Sequence, residues 1–167
     1  MRRNDGGLAR SSTSRCGCVS QRRRNLDRMR FEASIEVSAP AQQVFETYAD
    51  VERWPSWTAS VTSVELLTPG PLRVGSQARI RQPKLPVAVW QVTRLEPGRE
   101  FTWQAMGPGV LTTGTHRVTP VGDDRATVTA ILEQAGPLGV LVGLMTRRLT
   151  RRYLDTEVRG LKAYCEG

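Results

Sequence analysis

Residues 36–61 read EVSAPAQQVFETYADVERWPSWTASV, and two changes of period around this stretch decide the fold. Just upstream and into it, Phe31, Ala33, Ile35 and Val37 alternate with Glu32, Ser34 and Glu36, the pattern of a half-buried strand. At Ser38-Ala-Pro40 the period lengthens. Ala41, Val44, Phe45 and Tyr48 fall at i, i+3, i+4 and i+7, one apolar stripe of a helix with proline near its first position. That helix fades at Asp50. A short turn follows, carrying Trp54 and Trp57 either side of Pro55-Ser56.

Working outward from there, the chain reads as consecutive strands near 60–67, 75–82, 87–95, 100–106, 111–119 and 125–133. Turn residues punctuate them: Thr68-Pro-Gly-Pro71, Pro83-Lys-Leu-Pro86, Glu96-Pro-Gly98, Gly107-Pro-Gly109 and Val121-Gly-Asp-Asp124. Ala78 and Ile80, then Ala88, Trp90 and Val92, then Phe101, Trp103 and Ala105, then Gly114, His116 and Val118 occupy one parity. Arg79, Gln91, Thr102 and Thr115 occupy the other. Short connections between such strands predict an antiparallel meander with one buried face. Gly136-Pro137 opens a long helix near 138–164. Leu138, Leu141, Val142, Met145 and Leu149 form one expected buried stripe, continued by Leu154, Val158, Leu161 and Cys165. Arginines 147, 148, 151, 152 and 159 with Lys162 ride the other faces, a solvated surface or a contact for anions and lipid headgroups. A seven-stranded sheet needs a cover for its apolar face, and only this helix is long enough. The expectation is an α+β domain in which a curved sheet grips one helix and leaves a cleft.

The formal charge of +8 is uneven. Residues 1–30 hold nine arginines against Asp5 and Asp27, whereas the remainder holds 15 basic and 14 acidic residues. A nearly neutral domain argues against nucleic acid as a partner. The segment 1–28 has too few apolar residues to offset its ordering entropy. It reads as a basic arm, a targeting segment or, the preferred reading, sequence upstream of a start at Met29, with one domain over 29–167. Cys16, Cys18 and Cys165 match no zinc spacing and no disulfide framework, so a cytosolic setting is the default. The longest apolar run, near 140–145, is far too short to span a bilayer. Transient membrane contact stays open, and the oligomeric state is not legible.

Five segments carry a family resemblance. They are residues 36–61, GSQARI at 75–80, VWQVTRLEPGREFTW at 89–103, THRVTPVGDDRATVTAIL at 115–132 and GPLGVLVGLMTRRLTRRYLDTEVRGLKAYC at 136–165. In this order they resemble the START-like (SRPBCC) superfamily, and within it the bacterial polyketide cyclase/dehydrase and lipid-transport group. The resemblance covers roughly residues 30–165. It implies the helix-grip fold, with two short helices between strands 1 and 2 and an internal cavity for a hydrophobic small molecule. It also implies that the Trp-Pro-Ser-Trp segment is the second short helix, closing one end of the sheet. Proline suits the first turn of such a helix. The two tryptophans would plug that end, with Trp57 either structural or at the cavity wall.

The chain has no Gly-x-Ser-x-Gly elbow, no Gly-rich phosphate loop ahead of a helix and too few His and Cys for a metal site. No cofactor is implied. His116 is the one histidine, mid-strand and on the inward parity. It is a candidate to hydrogen-bond a ligand or act as general acid/base, or it is simply bonded within the wall. Tyr48 is a second polar candidate, and one of Glu133 and Gln134 points inward. The expected ligand wall comprises Trp57, Ile80, Trp90, Phe101, Trp103, His116, Val118, Leu141, Met145 and Leu149. Gly139 and Gly143 would ease movement at the start of the long helix. Three functions are carried forward. One is binding of a lipid, isoprenoid, quinone or polyketide-like molecule. Another is a cyclase/dehydratase-type enzyme using His116 with Tyr48 or Glu133. The last is a protein-interaction module with a collapsed cavity.

Overall fold

The computed structural model describes residues 28–167. The arginine-rich segment preceding Arg28, with Cys16 and Cys18, lies outside them. The strands are β1 (Arg28–Val37), β2 (Ser63–Leu66), β3 (Gln77–Arg81), β4 (Ala88–Glu96), β5 (Glu100–Gly107), β6 (Val110–Pro120) and β7 (Ala126–Ala135). Between β1 and β2 lie α1 (Ala41–Ala49), a 3-10 turn (Val51–Arg53) and α2 (Trp54–Trp57); α3 (Gly139–Glu166) ends the chain. This is the expected helix-grip arrangement. The seven strands form one antiparallel sheet in the order β1-β7-β6-β5-β4-β3-β2.

Each element follows from its sequence. β1 starts three residues before its apolar alternation, because outward Arg28 and Arg30 both reach Glu133 on β7. β4 contains a bulge between Val92 and Arg94, which bends the strand and deepens the sheet's curve. In α2, Pro55 sits in the first turn, where a missing N–H costs nothing. The Trp54 indole donates to the Tyr48 carbonyl at 2.9 Å and ties α2 to α1.

The core lies between the concave face of the sheet and the helices. Tyr48, Trp54, Phe101 and Leu161 are among its fully buried side chains; burying one large apolar group stabilises by about 1.5–3 kcal/mol. α3 packs chiefly on β1 and β7. Gly139 and Gly143 are clearance positions rather than hinges: a Cβ on Gly143 would stand 2.6 Å from Met29 Cβ, and one on Gly139 3.1 Å from the Gln134 backbone. No helix among the described residues is long and apolar enough to cross a membrane.

Candidate functional site

The inward parity of β6 sets Gly114, His116 and Val118 against the core, with His116 opposite Phe101 on β5 and Ala130 on β7. His116 is buried. The Phe101 ring stacks on it at 4.5 Å between centroids, while Tyr48, Trp54 and Trp103 meet it tilted or edge-on at 4.9–5.3 Å. Within this aromatic box stands one carboxylate, Glu157, delivered by α3 and equally buried. Its Oε1 lies 3.3 Å from His116 Nε2 and accepts the Tyr48 hydroxyl.

This geometry assigns roles. Burial, and then the neighbouring Glu157, push the Tyr48 phenol well above its ordinary range, so Tyr48 serves as a hydrogen-bond donor. A carboxylate accepts only, so the His116 nitrogen facing it carries the proton. That leaves His116 Nδ1 as a lone-pair acceptor, and it is buried with no partner. A carboxylate facing one imidazole nitrogen fixes the orientation of the ring.

A cavity of about 40 Å³ adjoins His116 and Glu157, lined also by Trp54, Ile80, Trp90 and Trp103. It has room for a few water molecules and no more. Gly114 is what lets Trp103 lie flat against β6, since a Cβ there would stand 2.6 Å from the indole nitrogen. The Tyr153 hydroxyl of α3 donates to the Pro83 carbonyl, joining helix to β3–β4 loop.

The expected wall is redistributed. Ile80, Trp90, Trp103 and His116 line the cavity. Phe101 and Val118 are packed behind it. Trp54, rather than Trp57, reaches it; Trp57 lines a separate outer groove of about 220 Å³ with Glu46, Asp50, Arg53 and Tyr164. Leu149 is half-buried, and Leu141 and Met145 face outward. The physical reason is the phase of α3. Its buried line runs through Gly139, Gly143, Thr150, Leu154, Glu157 and Leu161, so the first turns meet the sheet through glycine and their leucines are turned away. Glu133 points outward to Arg28 and Arg30 and is no partner for His116. Gln134 is the inward residue of that pair, and its Oε1 is buried without a partner. Glu157 was not anticipated. Its spacing was the available signal: it stands three residues after Leu154 and four before Leu161, at the centre of the stripe.

The sequence model of the family described as polyketide cyclase / dehydrase and lipid transport matches residues 28–166. No curated protein matches. Among solved structures, the Zhui aromatase/cyclase from Streptomyces sp. R1128 is 18% identical, with a TM-score of 0.70 over 83% of this chain and 94% of that one. A START superfamily protein from Mycobacterium smegmatis is 18% identical, with a TM-score of 0.68 over 82% and 97%. Norcoclaurine synthase of Thalictrum flavum is 15% identical, with a TM-score of 0.60 over 82% and 96%. At such identities the likeness establishes the fold alone.

Proposed function

Because the chain belongs to the polyketide cyclase/dehydrase and lipid transport family, we propose that it binds a hydrophobic small molecule between the sheet and α3, with one polar end of that molecule at His116. The observation that carries this reading is the unpartnered Nδ1 of His116 beside a wall of Trp54, Trp90, Trp103 and Ile80. A buried acceptor without a donor costs about 1–3 kcal/mol. A ligand hydroxyl, phenol or enol would offset that cost, so the favoured ligand is an apolar body ending in an O–H donor: a lipid, isoprenoid, quinol or polyketide-like aromatic. The 40 Å³ cavity must widen to admit it, and the Tyr153–Pro83 contact is the bond between helix and sheet loop that widening would break.

A second reading is favoured by one observation, the convergence of Tyr48 and His116 on Glu157. In a cyclase/dehydratase-type reaction, His116 Nδ1 would take a proton from carbon or oxygen of the bound chain. The Glu157 carboxylate would stabilise the imidazolium so formed, and the Tyr48 hydroxyl would hold that carboxylate in place.

Native mass spectrometry of the gently purified chain, followed by extraction, tests the binding reading. A co-purifying hydrophobic compound is expected. An apo mass that persists against a panel of lipids and aromatic polyketides would refute it. With the compound in hand, His116→Ala and Glu157→Gln separate the readings. A carrier loses about tenfold in affinity, one hydrogen bond's worth. An enzyme loses turnover by about 10²–10⁴-fold while retaining most of its binding.

A further inference from the structure

The outward face of α3 changes character along its length. Leu138, Leu141 and Met145 follow at spacings of three and four, and Leu141 and Met145 are 56% and 79% exposed. Leu144 flanks them, also exposed. Leu138 donates its N–H to the Gly109 carbonyl of the β5–β6 hairpin at 3.0 Å, and Met106 at the end of β5 is 79% exposed. Five large apolar side chains thus crowd one end of the molecule, with no burial to account for them. The same stripe then continues as Arg148, Arg152 and Arg159, with Arg147 and Arg151 beside it. All five arginines are exposed, and none is in an ion pair among the described residues.

We propose that this end of α3 docks on an anionic lipid surface. The first two turns, with Met106, enter the interfacial layer, and the arginines meet the headgroup phosphates. The dimensions agree: Arg148 and Arg152 lie about 5 and 10 Å beyond Met145 along the axis, and an interfacial helix sinks its apolar part by about 5–10 Å. The charge pattern selects this occupant. A second copy docked antiparallel on the apolar turns would give the arginines no carboxylate to meet, since residues 138–152 contain none. The N-terminal segment, with seven arginines ahead of Arg28 and only two acidic residues, would be repelled by the arginine turns. This docking does not depend on what the cavity holds.

Co-sedimentation of the full chain with vesicles tests it, using phosphatidylcholine alone and phosphatidylcholine mixed with phosphatidylglycerol. Binding is expected to the mixed vesicles only, weakening as salt is raised. The double variant Leu141→Asp with Met145→Asp should lose binding by about tenfold or more. Arg148→Ala and Arg152→Ala should each cost about fivefold. These side chains are exposed, so thermal unfolding should be unchanged and serves as the folding control. Equal binding to both vesicle types, or to neither, overturns the proposal. So does a double variant that binds like the parent, since the N-terminal arginines would then carry attachment. A concentration-dependent dimer abolished by the double variant also overturns it, by assigning the face to a second copy.

Discussion

Tyr48, Glu157 and His116 are three polar residues in a wall of aromatic rings, and each is satisfied through the next until His116 Nδ1, where the chain of partners stops. The raised pKa of Tyr48 has a measurable consequence. The unfolded tyrosine releases its proton near pH 10.0, while the folded one holds it to higher pH. The folded state therefore binds more protons in that window. The stabilisation is complete below about pH 10 and is lost as pH rises through the folded value. Urea unfolding across the alkaline range should show stability falling in this window, and Tyr48→Phe should remove that part of the slope. At neutral pH the same variant should be less stable by about 1–2 kcal/mol, because a buried carboxylate loses a donor. The sequence analysis reached His116 because strand parity is strict: every second residue of β6 faces inward. It passed over Glu157 because a charged side chain in a helical stripe is ordinarily assigned to solvent, and only its position between Leu154 and Leu161 argued otherwise. Tyr48 was legible as a stripe residue, and its hydroxyl's partner was not.

Glycine governs how α3 meets its neighbours. A Cβ on Gly160 would fall 2.2 Å from the Trp57 carbonyl oxygen, a backbone atom that cannot swing aside. Gly160→Ala should therefore push α3 from α2 and cost about 1–3 kcal/mol despite alanine's better helix propensity, which calorimetry would read as a lowered unfolding temperature. A neutral or stabilising result would mean that the helices do not approach this closely. The strands were legible because turn residues separate them and apolar parity marks their faces. β2 proved shorter than its pattern, at Ser63–Leu66, because Thr58 and Ser60 are buried and bonded to each other as the chain turns in from α2. The early turns of α3 were misread for a complementary reason. Hydrophobicity marks a buried face only where side chains fill the gap, and here Gly139 and Gly143 bring the helix backbone close, so the leucines are displaced outward.

At the scale of the molecule, α3 covers the β1–β7 side, while the β3–β4 loop reaches it through Tyr153 and Pro83. If that contact restrains widening of the cleft, Tyr153→Phe should speed uptake of a fluorescent fatty acid several-fold with little change in stability. The four tryptophans supply the signal in stopped-flow, since three line the cavity and Trp57 adjoins Trp54. Unchanged uptake would place the opening elsewhere. The strand order carries one more consequence. Among the described residues, β1 is the first strand made and pairs only with β7, the last. Roughly a hundred residues separate their far ends, which at ribosomal speeds is about 5–20 s of synthesis. Through that interval β1 has an unmatched backbone edge and the apolar row Phe31, Ala33, Ile35 and Val37, the features that invite strand-to-strand aggregation. A nascent chain of this topology is thus exposed to misassembly until β7 has been translated, and slower elongation over the β2–β6 hairpins would lengthen that exposure rather than relieve it.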